Sequence, residues 1–171
     1  MSYQNKRVNS DRLEMMKKAV DFKGLSVLDI GCAEGYFCGE IKKLGADIMV
    51  GIGDSEIEEA KRQAEKENLN IEFASGDILK VQLDYISFDC VLFLSMLHYF
   101  HTKEEKERVL MKVSQLTKKY CFFEFEEGLG HPGHCSFGEF CEMVILPEIG
   151  FKSIEFLGLS DVGRKVLLCK K

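Results

Sequence analysis

The sequence lacks the features that would direct it to a membrane or to nucleic acid. No apolar run reaches membrane-spanning length, and the amino-terminal residues 1–12 have no apolar middle of the kind found in signal peptides. Basic residues are not in excess, because the formal net charge is −5. A local basic patch is compatible with that charge, but nucleic acid is not expected as the main partner. We therefore expect a cytoplasmic protein without a membrane partner.

Cysteine pairs of the C-x-x-C type, internal repeats, linkers and low-complexity segments are also absent. Three of the seven cysteines, Cys90, Cys121 and Cys169, lie in apolar runs, so we expect the cysteines to be reduced and mostly buried. A chain of 171 residues is long enough to bury one core. We predict a single domain over residues 1–171, with a helical segment at 1–24 and a sheet core at 25–171.

Strand-like and helix-like patterns alternate along the chain, which is typical of a doubly wound α/β sheet with helices on both faces. Helices are predicted at 10–21, 36–44 and 55–67. A fourth helix is predicted to begin after a capping box formed by Thr102 and Glu105, and a fifth to run from about 136 to 150. The predicted strands are 26–30, 47–52, 71–74, 88–94, 120–125, 151–159 and 165–169. The last two form a hairpin, which would add an antiparallel pair to a parallel sheet.

The most informative segment runs from Val27 to Phe37, where a strand carrying an acid breaks into a turn of small residues and re-enters a helix. Glycines in such a turn let the backbone approach a ligand closely, as in nucleotide-binding proteins. A dinucleotide fingerprint would require a third glycine where this chain has Tyr36, which disfavours a pyrophosphate ligand. An ordinary strand-turn-helix connection is the alternative interpretation.

The same segment resembles the first motif of class I S-adenosylmethionine-dependent methyltransferases, an acid followed by G-x-G-x-G, with Ala33 in place of the middle glycine. The resemblance covers nearly the whole chain and implies a Rossmann-like sheet of seven strands, mostly parallel with an antiparallel carboxyl-terminal strand. It implies S-adenosylmethionine as the cofactor. Its methionine end would be bound by Asp29, Gly31, Cys32, Ala33, Gly35 and Tyr36.

Further motifs of that family follow the next strands. The acid that takes the ribose hydroxyls would align with Gly53, so Asp54 is the expected substitute, and the alternative role of Asp54 is to support the next helix. Asp77 and Ile78 match the adenine-side motif, for which an ordinary polar turn is the alternative. The resemblance also places Leu94 beside the cofactor.

All four histidines follow the fourth and fifth strands. His98 lies in a segment similar to the family's S-x-L-H-H-x motif and is the expected general base, because its usual pKa suits deprotonation near neutral pH. Tyr99, His131 and His134 are expected to contact the methyl acceptor. Two other interpretations stay open. The four histidines, with or without Glu126, Glu127 or Cys135, could bind a metal, or they could be ordinary loop residues. We predict no metal.

Together these features predict a methyltransferase that acts on a small-molecule hydroxyl or amine. No Asn-Pro-Pro-Tyr motif follows the fourth strand, so the usual signature of adenine-N6 and glutamine methyltransferases is missing. Two alternatives remain. One is a methyltransferase-like binding or regulatory protein without catalysis, which the departures at Ala33 and Gly53 would suit. The other is an RNA or protein methyltransferase that works with a partner.

Overall fold

The computed structural model describes residues 3–54, 56–83, 86–125 and 146–171. These residues form a seven-stranded sheet with the strand order β3-β2-β1-β4-β5-β7-β6. The strands are β1 (Ser26–Ile30), β2 (Ile48–Gly53), β3 (Glu72–Ser75), β4 (Phe88–Phe93), β5 (Thr117–Phe125), β6 (Ser153–Leu159) and β7 (Lys165–Lys170). Strands β1 to β5 pair in parallel, while β7 is antiparallel to both β5 and β6. The predicted mixed, mostly parallel sheet is therefore confirmed.

Helices α2 (Tyr36–Lys43), α3 (Ile57–Lys66) and α4 (Lys103–Leu116) connect parallel strands. Helix α1 (Tyr3–Ala19) precedes β1, and a short helix α5 (Leu146–Glu148) precedes β6. A 3-10 turn at Leu97–Tyr99 follows β4. Helix α4 begins with the predicted capping box, because Thr102 accepts from the backbone N–H of Glu105 and the Glu105 carboxylate accepts from the backbone N–H of Thr102.

Two apolar layers cover the sheet. One packs α4 on the central strands through Val109, Val113 and Leu116. The other packs α1 and α2 on the opposite face through residues such as Met16 and Ile41. Strands β4 and β5 are buried over most of their length because both layers cover them, which explains their nearly continuous apolar sequences.

Several boundaries differ from the sequence-based expectation. Helix α1 begins at Tyr3 rather than at residue 10. Strand β5 begins at Thr117 because that residue pairs with Phe88 across an irregularity in the β4 ladder, which hydrophobic patterning does not reveal. Ser55, the first residue of the helix predicted at 55–67, and most of the helix predicted from 136 to 150 lie outside the described residues. Of the helices in the described ranges, none is long and apolar enough to cross a membrane.

The parallel register aligns the carboxyl ends of β1, β2, β4 and β5 at one edge of the sheet, which we call the carboxyl edge. Ligands of open parallel sheets bind beyond this edge. The predicted cofactor turn after β1 and the loop after β4 both lie there. The topology therefore brings residues that are distant in sequence to one place.

Candidate active site

The turn after β1 has the backbone shape that its small residues predict. Gly31, Ala33 and Gly35 have φ values of +83°, +47° and +79°. The N–H groups of Gly31 and Cys32 both donate to the carbonyl of Ile52, at 2.8 and 3.0 Å, which joins the turn to the end of β2. A Cβ atom on Gly31 would collide with the side chain of Met96. Glycine is therefore needed at this position for its conformation and for the close approach of the loop after β4.

Asp29, in β1, supplies a carboxyl group beneath this turn and is only 2% exposed. Burial raises the pKa of Asp29 to about 7, against the opposing effects of a hydrogen bond from the Cys38 thiol and of the Arg12 charge. The Cys38 Sγ lies 3.5 Å from Asp29 Oδ2. A buried carboxyl that takes a proton near neutral pH is suited to a cationic ligand, because such a ligand would favour its ionised form.

A cleft of about 260 Å³ opens at the carboxyl edge in front of Asp29. Its walls come from α1, from the turn after β1, from the segment before α3 and from the loop after β4. The lining residues are Arg12, Asp29, Gly31, Cys32, Ala33, Glu34, Tyr36, Phe37, Glu56, Leu94, Ser95, Met96 and Tyr99. Six of the residues predicted to bind the cofactor, Asp29, Gly31, Cys32, Ala33, Tyr36 and Leu94, therefore share one cleft. Gly35 lies just behind it at the amino end of α2.

Four polar side chains meet beside this cleft, and we call them the carboxyl-edge network: Arg12, Ser95, Glu124 and Arg164. Arg12 Nη1 lies 2.8 Å from Glu124 Oε2 and 3.4 Å from Ser95 Oγ. The Ser95 hydroxyl donates to the same Glu124 oxygen and accepts from Arg164 Nη1 at 2.8 Å. Helix α1, the loop after β4, strand β5 and the β6–β7 turn are thus joined at one point.

The segment after β2 contains Asp54, the residue that we expect to take the ribose hydroxyls. Gly53 is the last residue of β2, and a Cβ atom there would lie 3.1 Å from Ile57 Cδ1 and 3.2 Å from Cys32 Sγ. Asp54 is exposed and does not line the cleft, whereas Glu56, two residues later, does. The segment between β2 and α3 therefore directs Glu56, rather than Asp54, to the cleft wall.

The adenine-side pair lies in the turn after β3, outside the cleft lining. Asp77 accepts at 2.9 Å from the backbone N–H of Leu79 through Oδ1 and pairs with Lys80 at 3.3 Å. Ile78 is buried in the core, with 3% exposure. These contacts are those of a polar turn, and the adenine role of the pair stays a prediction.

The predicted base and acceptor residues are only partly described. His98 is exposed in the 3-10 turn and its ring lies 4.2 Å from that of Tyr99, which lines the cleft and is 64% exposed. His131 and His134 lie outside the described residues, as do Glu126, Glu127 and Cys135. Within the described ranges, no group of three or more histidine, cysteine or acidic side chains is arranged to hold a metal ion.

Sequence reasoning missed Arg12 and Glu56 as cleft residues. A signal for Arg12 does exist, because it lies four residues before Met16 on the helix face that also buries Leu13. An arginine on the apolar face of an amphipathic helix indicates a buried partner. Glu56 carries no comparable signal, since three acids occur between residues 54 and 58.

Comparison with known proteins agrees with this geometry. The sequence model of the methyltransferase domain family matches residues 27–120, which is more than half of the chain. The ubiquinone biosynthesis O-methyltransferase of Coxiella burnetii (strain Dugway 5J108-111) is 31% identical over 113 residues, covering 65% of this chain and 47% of the relative. A sterol 24-C-methyltransferase of Aspergillus fumigatus is 38% identical over 73 residues, covering 40% of this chain and 19% of the relative. The chain spans at most about half the length of these relatives.

Solved structures show the same fold. Magnesium protoporphyrin IX methyltransferase from Synechocystis PCC 6803, crystallised with bound S-adenosylmethionine, superposes with a TM-score of 0.74 at 18% identity, covering 98% of this chain and 79% of that one. A TehB-like methyltransferase from Corynebacterium glutamicum gives 0.70 at 19% identity, covering 98% and 95%. With the family match, the strand order and the glycine turn in agreement, the chain belongs to the methyltransferase domain family, the class I S-adenosylmethionine-dependent methyltransferases.

Proposed function

We propose that this protein transfers a methyl group from S-adenosylmethionine to a hydroxyl or amine of a small molecule. The observation that carries the proposal is the cleft at the carboxyl edge, where the left-handed turn after β1 lies against the buried carboxyl of Asp29. The names of the ubiquinone and protoporphyrin methyltransferases support a small-molecule acceptor. Enzymes of those names act on compounds rather than on macromolecules.

The residues around the cleft fit the cofactor. Asp29 would accept from its ammonium group, and Gly31 leaves open the space next to Met96 that a side chain would fill. Arg12 and Glu56 offer opposite charges on the cleft wall, suited to the cofactor's carboxylate and to its ribose hydroxyls. Cys32 and Leu94 add apolar contact, and Asp77 with Ile78 remains the proposed adenine subsite.

When bound, S-adenosylmethionine supplies a methyl group on a positively charged sulfur, which is already a good leaving group. The protein then has to align the acceptor with that methyl group, and alignment alone contributes several kcal/mol. We propose that Tyr99 contacts the acceptor, because it lines the cleft and is exposed. His98 beside it is the proposed base for a hydroxyl acceptor, and His131 and His134 are proposed acceptor contacts.

Calorimetric titration tests the cofactor part of this proposal. We expect wild-type protein to bind S-adenosylmethionine and the product S-adenosylhomocysteine, and we expect Asp29→Asn to weaken S-adenosylmethionine binding about tenfold because it removes a charge-assisted contact. The matched control is Asp47→Asn, since Asp47 is exposed at the opposite end of β2. Absence of wild-type binding at millimolar cofactor would overturn the proposal.

Transfer of a labelled methyl group identifies the acceptor class. Wild-type protein and labelled cofactor are added to a cell extract that has been separated into small molecules, protein and RNA. We expect label in the small-molecule fraction and a loss of at least tenfold in rate for His98→Ala. Label in protein or RNA would support the macromolecular alternative. Cofactor binding without transfer to any fraction would support a binding protein without catalysis.

We further propose that Glu56 takes the ribose role, because it lines the cleft where Asp54 does not. Glu56→Gln should weaken the binding of S-adenosylhomocysteine about tenfold, and Asp54→Asn by less than about twofold, since a charged hydrogen bond contributes about 1.5–3 kcal/mol. The two variants remove the same charge only two residues apart, so each is the control for the other. The reverse order would return the ribose role to Asp54.

A further inference from the structure

We propose that Glu124 is a positioning residue that fixes two walls of the cofactor cleft through Arg12 and Ser95, and thereby sets the affinity for the cofactor. The inference rests on the proposed cofactor binding and deepens it. Glu124 itself does not line the cleft, but both side chains that bind its Oε2 atom do. A substitution of Glu124 would therefore affect cofactor binding only through Arg12 and Ser95.

The first wall is helix α1, which contributes Arg12. The Arg12 side chain is 10% exposed and that of Glu124 is fully buried. The guanidinium also lies 5.4 Å from the centre of the Phe37 ring, another cleft residue. A rigid, planar guanidinium held by a buried carboxylate has little rotational freedom, so its remaining donors keep a defined direction at the cleft.

The second wall is the loop after β4, which contributes Ser95 and Met96. Ser95 has φ of +54°, a left-handed conformation that costs a serine of order 1 kcal/mol or more. Its hydroxyl donates to Glu124 and accepts from Arg164 at 2.8 Å. Because Met96 packs where a Gly31 side chain would be, the conformation of Ser95 also bears on the cofactor turn.

The arrangement at Glu124 is not the one that stability alone would favour. Among the residues that the structure describes, the buried Oε1 atom of Glu124 has no hydrogen-bond partner. Buried ion pairs are often no more stabilising than apolar residues of the same volume, and an unpaired buried acceptor adds a further cost. An unsatisfied charged group next to strained backbone is typical of a functional site.

The chain contains a matched control at the opposite end of the same strands. There the carboxylate of Asp89 accepts from the Ser26 hydroxyl at 2.8 Å and pairs with Lys119 at 2.9 Å. Both sites consist of a serine hydroxyl, a carboxylate and a cation that join β4 or its following loop to neighbouring elements. Asp89 is far from the cleft lining, so its loss affects stability without touching either wall.

The experiment compares Glu124→Gln with Asp89→Asn by calorimetric titration of S-adenosylhomocysteine at equal folded fractions. We expect Glu124→Gln to weaken binding about tenfold and Asp89→Asn by less than about twofold, within the range of coupling between contacting residues. In an Arg12→Gln background, Glu124→Gln should weaken binding by clearly less than about tenfold, because only the link through Ser95 is then left to lose. A purely structural role would not produce this dependence on Arg12.

Wild-type affinity in Glu124→Gln, or an equal loss in Asp89→Asn, would overturn the inference. The inference would also be overturned if Glu124→Gln caused the same loss of affinity in the Arg12→Gln background as in the wild type. If Glu124→Gln does not fold, Ser95→Ala takes its place, since it leaves the Arg12–Glu124 pair intact and removes the second wall's link; wild-type affinity in Ser95→Ala would then overturn the inference. Failure of the wild-type protein to bind the ligand would instead refute the proposed function itself.

Discussion

At the scale of single residues, the pKa of the Asp29 carboxyl group is subject to two opposing effects. Burial raises its pKa from 3.8 to about 7, while the Cys38 thiol and the Arg12 charge act in the opposite direction. The folded protein therefore holds a proton on Asp29, between about pH 3.8 and 7, that the unfolded chain has lost. Its favourable contribution to stability is complete below this range and is lost as the pH rises through about 7.

Cofactor affinity should depend on pH in the opposite direction to stability, because the cationic ammonium group binds the ionised carboxyl of Asp29. With a pKa of about 7 for Asp29, affinity for S-adenosylmethionine should rise about eightfold between pH 6 and 7.5. Calorimetric titration across this range measures the effect. In Asp29→Asn the dependence should be absent, and a slope equal to that of the wild type would assign the titration to another group.

Ala33 is a second residue whose backbone conformation leads to a testable prediction. Its φ of +47° is left-handed, which costs an alanine about 1–2 kcal/mol, whereas glycine adopts it freely but loses more entropy on folding. Ala33→Gly, which restores the family's glycine, should leave the free energy of unfolding within about 1 kcal/mol of the wild type. Ala33→Val should lower it by more than about 2 kcal/mol, because a β-branched side chain fits this region poorly.

Urea unfolding of both variants measures this difference. Ala74→Val, a substitution at another exposed alanine whose φ is not positive, controls for the added volume. Equal losses at the two positions would indicate that crowding, rather than backbone conformation, determines the cost at Ala33.

At the scale of elements, the helices and strands follow from local patterns, but the contacts between them do not. Strand β1 and the capping box of α4 were predicted at their observed positions, since period and cap residues are local signals. The start of β5 depends on its pairing with Phe88. The placement of Glu56 depends on backbone angles after β2, and the Arg12–Glu124 pair joins residues 112 positions apart. Sequence patterns do not identify which distant residues become partners.

The capping box of α4 provides a prediction at this scale. Thr102→Ala removes the side-chain acceptor for the Glu105 N–H and should lower the free energy of unfolding by about 1 kcal/mol. Urea denaturation is the measurement. Met111→Ala in the same helix is the control, because Met111 is 52% exposed and should change the free energy by less than about 0.5 kcal/mol. If Met111→Ala lowered the free energy of unfolding more than Thr102→Ala does, α4 would be stabilised mainly by surface contacts.

At the scale of the whole molecule, the residues at the two ends of the sheet affect stability in different ways. The amino end holds the Asp89 site, where hydrogen bonds from Ser26 and Lys119 keep the pKa of the carboxyl below its usual range. Its contribution to stability is therefore present at neutral pH and lost as the pH falls below the usual value of 3.8. The carboxyl end holds the cleft, the left-handed turn and the carboxyl-edge network, where stability is reduced by strain and by buried charge.

Acid unfolding tests this division. Asp89→Asn should destabilise the protein by about 1–3 kcal/mol at pH 7, because it weakens charged hydrogen bonds. The loss should become smaller as the pH falls below 3.8, because the unfolded wild-type chain then takes up a proton on Asp89 that the folded protein does not. Urea midpoints at several pH values measure it. A loss that is the same at all pH values would assign the effect to packing rather than to charge.

The carboxyl-edge network also bears on the order in which the protein folds. Three of its pairs join residues separated by 112, 83 and 69 positions, so together they close long loops that span most of the chain. Contacts of such high sequence separation form late, because their loop entropy is lost before the contacts are made. A chain refolding from denaturant should therefore recover helical circular dichroism before it recovers affinity for its ligand. The binding cleft is complete only when the last hairpin has joined the sheet.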